Sequence, residues 1–260
     1  MKKYIAIVLA FLIGAFVIAG CRISASPAGE KPLRVGMDAS YPPFGSQNVE
    51  TKAYEGFDVD IIKAIGEEEK FPVEIVNLNF DGLIPALQTK DLDIVINDMG
   101  ITPDRSQKVL FSKPYYYAGL GIVVQAGNTS IHDKKDLAGK RVGVSIASTG
   151  EEAARKIEGA QVKTYNTITD AFLDLKNGGL DAVVNDVPVN EFYIAKSGEG
   201  KIQTVDTAFD VEPLGIAVAK NNKELMDKID KGLAAIKQNG TYAQIYQKWF
   251  GKEPPAEFLK

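Results

Sequence analysis

The side chains most often used for catalysis are scarce in this chain. It has one histidine, His132, and one cysteine, Cys21, which are too few for a typical four-ligand zinc site. Residues 143–147 lack the closing glycine of a serine-hydrolase nucleophile elbow, and the Gly-Lys pair at 139–140 is followed by arginine instead of serine or threonine. These patterns argue against zinc chemistry, Ser-His-Asp hydrolysis and a Walker-type phosphate loop.

Two predicted helix starts have residues that suit an anion. Ser148 and Glu151 have the spacing of a capping box, so a helix is expected to begin there. The free N–H groups at such a start favour a negatively charged group. A second helix is predicted at Thr102, where a capping hydroxyl is followed by proline and an acid. Arg105 lies one turn into it, and by residue type alone it would be a solvated surface charge.

The elements that position these residues alternate between strand and helix patterns. Short apolar runs such as 33–37 and 94–96 predict buried strands, whereas residues 57–69 have apolar residues at helical spacing. The pattern restarts near residue 121 and ends in two helices, at 223–237 and 241–250. This alternation predicts an α/β protein with two units, each built on a parallel sheet joined by helices.

The N-terminus predicts export. Lys2 and Lys3 precede a charge-free apolar run at residues 4–19, which is shorter than the roughly 20 residues that span a bilayer. The run ends in Ile-Ala-Gly-Cys, which resembles the lipobox of bacterial lipoproteins. In those proteins the signal is cut before the cysteine, which then carries a lipid. We therefore expect a signal peptide at 1–20, lipidation of Cys21 and a polar tether at 21–32.

The composition narrows the possible partners. Without Lys2 and Lys3, the mature chain has 28 basic and 34 acidic residues, a net charge of −6. Such a surface repels nucleic acid and anionic lipid. After the tether, about 230 residues can form one large or two small cores.

Seven sequence blocks identify a family. In chain order they are VGMDASYPPF, YEGFDVDIIKAI, NFDGLIPALQTKDLDIV, GITPDRSQKVLFSKPYY, KRVGVSIASTGEEAARK, GGLDAVVNDVPV and NGTYAQIYQKWFG. Together they closely resemble the polar amino-acid-binding proteins of ABC transporters (extracellular solute-binding proteins, family 3). The resemblance covers residues 33–251.

The resemblance implies a two-lobe periplasmic-binding-protein type II (Venus-flytrap) fold. Lobe 1 would comprise residues 33–116 and 214–260, and lobe 2 residues 117–213. Two hinge crossovers are expected, near 115–119 and 210–214. A ligand would lie in the cleft between the lobes, and closure would bury it.

The resemblance also implies how a zwitterionic amino acid is held. A desolvated cleft must pair both ligand charges, because an unpaired buried charge is very costly. Arg105 matches the arginine that binds the α-carboxylate, together with Ser148 and the Thr149 N–H. Asp186 matches the acid that binds the α-ammonium.

Other positions match the part of the pocket that holds the ligand side chain. Tyr41 and Phe80 match two aromatic walls, and Asp38 matches an acid at the distal end of the ligand. The chain departs from the family at Asp98-Met99-Gly100, since Gly100 replaces a residue that often supplies a hydroxyl. With Asp38 and Asp98 both facing the pocket, arginine, lysine, ornithine or histidine would be favoured, glutamine next, and an acidic ligand least.

Local roles remain open for some of these residues. Asp38 and Asp98 could each make a turn instead of contacting ligand. Asp58 and Asp60 are predicted to be solvated acids. Tyr246 and Trp249 are predicted to pack on the last helix.

Three functions fit the resemblance. The first is a monomeric transport receptor without a cofactor, which delivers an amino acid to a membrane permease at the outer side of the cell membrane. The second is an enzyme like cyclohexadienyl dehydratase, which has the same fold and would need a general acid such as Asp98 or Glu151 over the ligand. The third is a sensor module that signals through a partner.

Overall fold

The computed structural model describes residues 31–259, so the predicted signal peptide, Cys21 and most of the tether lie outside the described residues. The helices are α1 (Phe57–Glu69), α2 (Phe80–Gln88), α3 (Pro103–Lys108), α4 (Thr149–Arg155), α5 (Ile168–Lys176), α6 (Val187–Ser197), α7 (Lys223–Gln238) and α8 (Thr241–Phe250). The strands are β1 (Leu33–Met37), β2 (Ser40–Tyr41), β3 (Gly45–Gln47), β4 (Tyr54–Glu55), β5 (Val73–Asn77), β6 (Ile94–Val95), β7 (Val109–Phe111), β8 (Tyr116–Gln125), β9 (Arg141–Ser145), β10 (Gln161–Tyr165), β11 (Ala182–Asp186), β12 (Ile202–Leu214) and β13 (Ala217–Ala219). Short 3-10 helices lie at Lys134–Leu137 and Ala256–Leu259.

The first sheet has the strand order β5-β1-β6-β13-β7. Strand β1 runs parallel to β5 and β6, whereas β13 is antiparallel to β6 and β7. The apolar run at 94–96 is fully buried, as its composition predicts. Strand β13 comes late in the chain, so the segment after the second unit returns to the first sheet.

The second sheet has the order β10-β9-β11-β8-β12. Strands β10, β9 and β11 are parallel, while β8 runs antiparallel to both β11 and β12. Both sheets are therefore mixed, and the prediction of parallel sheets was wrong for the strands at and after the crossovers. Local patterns report that a segment is a strand, but they do not report its direction relative to a neighbour distant in sequence.

Two adjacent strands join the sheets. Strand β8 leaves the first unit at Tyr116 and β12 returns at Leu214, and these two residues are paired. Ala118 pairs with Glu212 in the same antiparallel ribbon. The two predicted hinge segments therefore lie side by side and pass from one sheet to the other.

The two predicted helix starts have the predicted caps. The Thr102 hydroxyl accepts from the Arg105 N–H at 3.2 Å, and the Ser148 hydroxyl accepts from the Glu151 N–H at 3.0 Å. Helix α2 lacks such a cap, because its N-cap residue, Asn79, makes no side-chain capping hydrogen bond.

Aromatic side chains form the core beside the first crossover. The Phe57 ring packs against those of Tyr115, Tyr116, Tyr242 and Tyr246. Tyr246 is buried, as predicted, and this packing ties α1, α8 and the start of β8 together.

No helix within residues 31–259 is both long enough and apolar enough to cross a bilayer.

Candidate functional site

A cleft of about 320 Å³, counting its mouth, lies between the two sheets. Phe80, Asp98 and Arg105 line it from the segments around the first sheet, and Tyr41 lines the same side from a small separate sheet of order β2-β3-β4. Ser145, Ser148, Thr149 and Asp186 line it from the elements of the second sheet. The structure thus brings together seven of the ten predicted ligand-binding residues and adds Ser145.

Arg105 lines the cleft and is buried, with 6% of its surface exposed. Its Nη1 donates to the Gly100 carbonyl and its Nη2 donates to the Ala147 carbonyl, both at 2.9 Å. Its guanidinium lies 5.2 Å from the centre of the Phe80 ring. Because Ala147 precedes α4, the Arg105 side chain links the two sides of the cleft.

Burial lowers the pKa of Arg105, and neighbouring carboxylates, Glu212 first, oppose that shift. The side chain is held by two main-chain carbonyls and an aromatic ring, none of which carries a full charge. Among the cleft-lining residues that the structure describes, it is the one cationic side chain. It is therefore placed to pair with a carboxylate in the cleft.

Asp186 is the last residue of β11 and the N-cap of α6, and 6% of it is exposed. The Tyr41 hydroxyl reaches both Asp186 Oδ2, at 2.7 Å, and Asn185 Oδ1. Asp186 Oδ1 is buried without a hydrogen-bond partner among the described residues. Burial, with the charge of Glu212 second, raises the pKa of Asp186 to about 7.

Asp98 has a left-handed backbone with φ 47°, which is uncommon for a residue other than glycine. Its N–H donates to Asp58 Oδ2 at 2.8 Å and to the Tyr115 hydroxyl at 3.2 Å. Its side chain is 5% exposed, and neither carboxylate oxygen has a partner within residues 31–259. Burial raises its pKa well above the usual range, and the carboxylates of Asp186, Asp58 and Glu212 raise it further.

The prediction that Asp58 is solvated was wrong. Asp58 is fully buried behind Asp98, and burial raises its pKa to about 7. Asp60, two residues later, accepts from Lys248 Nζ at 2.6 Å and from Trp249 Nε1 at 2.7 Å. Helical geometry explains the difference, since neighbours two apart on a helix face different sides.

Three predicted site residues are not among the side chains that line the cleft. Asp38 Oδ1 accepts from the Ser40 N–H at 2.9 Å and from the Ser40 hydroxyl at 2.6 Å, which is a local turn. The Met99 side chain is 1% exposed and packs in a core with Leu83 and Leu87. Gly100 contributes its carbonyl, which holds Arg105.

Sequence reasoning missed Glu212 on the second crossover. Glu212 Oε1 accepts from the Thr149 hydroxyl at 2.7 Å, so it contacts a lining residue directly. The available signal was a single acid immediately before the run Pro-Leu-Gly-Ile at the predicted hinge. Ser145 and Asn185 lie at the carboxyl ends of β9 and β11 and carried no sequence signal of their own.

The described residues contain no group of three or more histidine, cysteine, aspartate or glutamate side chains placed to hold a metal ion.

The two mixed sheets, the paired crossovers and the charged cleft between them define a two-lobe solute-binding protein of the periplasmic-binding-protein type II fold. The family model for bacterial extracellular solute-binding proteins, family 3, matches residues 33–252. The chain belongs to this family.

Relatives and solved structures agree with this assignment. The L-arginine-binding protein of Pseudomonas aeruginosa is 38% identical over 86% of this chain and 89% of its own length. A solved ancestral arginine-binding protein bound to arginine is 45% identical, with a TM-score of 0.82 over 85% of this chain and 98% of the other. The arginine-, lysine-, histidine-binding protein ArtJ of Geobacillus stearothermophilus is 36% identical, with a TM-score of 0.83 over 88% and 99% of the two chains.

Proposed function

We propose that this chain is the substrate-binding component of an amino-acid ABC transporter and that its ligand is a cationic L-amino acid, arginine first. The ligand binds in the cleft, and the closed protein delivers it to a membrane permease. Histidine, lysine and ornithine are the next candidates, followed by glutamine.

The observation that carries this proposal is the imbalance of charge in the cleft. Asp98 and Asp186 each have buried carboxylate oxygens without a partner among the described residues, and Arg105 is held by main-chain carbonyls. Buried carboxylates of this kind are costly unless a cation pairs with them. Arginine brings two cationic groups and one carboxylate, which complements two acids and one arginine.

We assign the ligand groups on the same basis. The α-carboxylate pairs with Arg105 at the α4 start, where Ser148 and Thr149 lie. The α-ammonium pairs with Asp186. The ligand stem lies between Tyr41 and Phe80, and the distal guanidinium reaches Asp98.

The remaining predicted contacts have smaller roles in this proposal. The carbonyl of Gly100 orients Arg105, and Met99 supports the strand end from the core. Asp38 stays a predicted contact for the distal end of the ligand, although Ser40 holds one of its oxygens.

The names of similar proteins support a cationic ligand. The relative from Pseudomonas aeruginosa and the ancestral protein are both named for arginine, and ArtJ is named for arginine, lysine and histidine. Each name describes that protein, and the charge of this cleft gives an independent reason to extend it to this chain.

We propose that the two sheets are the cores of two lobes with the predicted bounds, 33–116 with 214–260 and 117–213. A ligand that contacts both lobes binds the closed arrangement more tightly, so it shifts the population toward closure. Arg105 and Tyr41 already bridge the cleft, to Ala147 and to Asp186 respectively.

We further propose that the mature protein is an exported, monomeric lipoprotein. The basic start, the short apolar run and the Ile-Ala-Gly-Cys sequence support cleavage after residue 20 and lipidation of Cys21. The lipid would hold the binding lobes at the outer face of the cytoplasmic membrane, close to the permease.

The dehydratase alternative fits the cleft less well. Glu151 accepts from the Ala147 N–H at 2.7 Å and from Arg155 at 2.8 Å, so its carboxylate is already engaged. Prephenate has two carboxylates and no ammonium, and arogenate has two carboxylates and only an α-ammonium, so neither substrate offers a distal cation to Asp98. Incubation with prephenate should therefore yield no phenylpyruvate.

Calorimetric titration tests the proposed function. The mature chain carrying Cys21→Ser would be denatured and refolded to remove bound solute, then titrated with arginine, lysine, histidine, glutamine and glutamate. We expect arginine to bind with a Kd of about 1 μM or tighter, equivalent to roughly −8 kcal/mol. Failure of every cationic amino acid to bind would overturn the proposal.

A further inference from the structure

Glu212 occupies an unusual place, because it belongs to the crossover strand β12 and yet contacts Thr149, a residue that lines the cleft. Its Oε1 accepts from the hydroxyl of Thr149, the first residue of α4, at 2.7 Å. On its other side it faces Gly100, where the main chain pairs with Leu214 in an isolated bridge. Glu212 therefore lies between a helix start of one lobe and a strand end of the other.

The carboxylate of Glu212 fills the space that a side chain at position 100 would need. A Cβ added to Gly100 would lie 2.4 Å from Glu212 Oε2 and 2.6 Å from Oε1, closer than non-bonded atoms allow. Gly100 does not have a positive φ, so its backbone does not require glycine, and a side chain here would have to displace the end of the Glu212 side chain. The family resemblance implies a hydroxyl at position 100 that helps to hold the backbone of the ligand.

The electrostatic surroundings of Glu212 connect it to the ligand-binding groups. It is the leading carboxylate acting on Arg105 and the leading charge acting on Asp186. Burial raises the pKa of Glu212, whereas the Thr149 hydrogen bond and the charge of Arg105 lower it. The charges of Glu152 and Asp210 also raise this pKa and the net shift is upward, so a cation bound beside Glu212 would stabilise its ionised form.

We propose that Glu212 is a specificity-determining residue that accepts a hydrogen bond from the α-ammonium of the bound amino acid, in place of the side-chain hydroxyl that Gly100 lacks. This inference rests on the proposed function. Oε1 stays bonded to Thr149 and Oε2, the atom nearest the Gly100 Cβ position, receives the ammonium proton. Asp186, at the end of β11, and Glu212, on the crossover strand β12, then bind the same ammonium.

A competing arrangement would give Glu212 the opposite effect. If it served as a counter-ion of Arg105, the ligand carboxylate would have to displace it. Its removal would then tighten binding of every ligand with a carboxylate, with or without an α-amino group.

The test pairs one substitution with two probes. Glu212→Gln keeps an acceptor for the Thr149 hydroxyl but removes the charge. The probes are L-arginine and 5-guanidinopentanoate, which is arginine without its α-amino group, titrated into the mature Cys21→Ser chain. We expect Glu212→Gln to weaken L-arginine roughly 10- to 100-fold and to change 5-guanidinopentanoate less than about twofold.

Glu152→Gln is the matched control. Glu152 also acts on Arg105, but it lies on the exposed side of α4. The same change of charge there should alter the affinity for either probe less than about twofold.

A second set of variants tests directly whether a hydroxyl at position 100 can replace the Glu212 carboxylate. This test uses L-arginine alone and does not need 5-guanidinopentanoate to bind measurably. Glu212→Ala should weaken L-arginine at least as much as Glu212→Gln, and adding Gly100→Ser should recover part of that loss, because the hydroxyl then occupies the vacated space. Gly100→Ser alone should weaken binding through its clash with Glu212.

The outcomes are distinct. Equal weakening of both probes would show a structural role and overturn the proposal, and tighter binding of both would support the counter-ion role instead. If unmodified protein fails to bind L-arginine, the proposed function itself fails. If it binds L-arginine and Glu212→Gln leaves that affinity unchanged, the role of Glu212 alone is overturned.

Discussion

Carboxylates on the surface around the second sheet are paired with basic side chains of the protein, whereas those in the cleft are not paired in this way within residues 31–259. On the surface, Asp181 receives Arg141 Nη2 at 2.7 Å and Arg141 Nε at 3.2 Å, and Asp174 receives Lys163 Nζ at 2.8 Å. Both surface acids have a lowered pKa because these basic side chains donate to them.

In the cleft the direction of the shift is reversed. The pKa of Asp98 and that of Asp186 are raised, with burial as the leading cause and neighbouring carboxylates adding to it. The chain has a net charge of −4, and surface pairs such as Arg141–Asp181 use basic residues far from the cleft. The comparison teaches that the cleft is built with acids whose cation is expected to come from the ligand.

Asp186→Asn should have the largest effect on this comparison. It removes the charge that we assign to the α-ammonium, and breaking such a buried pair costs about 3–5 kcal/mol, or roughly 100- to 5000-fold in Kd. Calorimetry with L-arginine measures the change, and circular dichroism checks that the variant is folded. A loss below tenfold would contradict the assignment.

Asp98→Asn should sharpen the comparison, because it should weaken ligands with a cationic side chain and spare ligands without one. The loss of one charged hydrogen bond to the guanidinium should weaken L-arginine roughly 10- to 100-fold. Glutamine has no distal cation, so its affinity should change less than about threefold. Equal losses for the two ligands would show that Asp98 acts through the backbone near Asp58 instead.

The pH dependence of binding follows from the raised pKa values. Asp186 titrates near pH 7 and must be ionised to pair with an ammonium, so a proton competes with the ligand below that pH. The Kd for L-arginine should therefore weaken as pH falls from 8 to 5.5, by up to about tenfold per unit below pH 7 for each proton displaced.

Calorimetry in buffers of different ionisation enthalpy would detect the proton release near pH 7 that accompanies this effect. An affinity for L-arginine that stays constant from pH 8 to 5.5 would mean that ligand binding does not displace a proton from Asp186.

Asp181→Asn should have the smallest effect. This acid has its own cation in Arg141 and lies away from the cleft, so the Kd for L-arginine should change less than about twofold. A larger change would break the distinction between surface and cleft acids.

Much of the fold follows from local patterns in the sequence. The predicted bounds of α1 and α8 are confirmed, as are the caps at Thr102 and Ser148, because apolar periodicity and capping chemistry act within a few residues. The direction of β13 and the pairing of β8 with β12 depend on residues about a hundred positions apart, and periodicity carries no such information.

The site residues also divide into those that local sequence could identify and those that it could not. Arg105 and Asp186 could be placed by resemblance and by their positions at element ends. Asp58 and Glu212 could not, because the burial of Asp58 and the contact of Glu212 with Thr149 arise from packing between segments remote in sequence. Asp58 looks like a solvated helix acid until Asp98 and Tyr115 close over it.

The most direct test of the central claim compares L-arginine with L-citrulline, its uncharged isostere, on the same refolded protein at pH 8. The two ligands share their α-groups and stem, so the ratio of their Kd values isolates the distal cation. The excess of acids in the cleft predicts that arginine binds roughly 10- to 100-fold more tightly, as one charged hydrogen bond would give. Equal affinities, or tighter binding of citrulline, would contradict a cleft built to receive a cation.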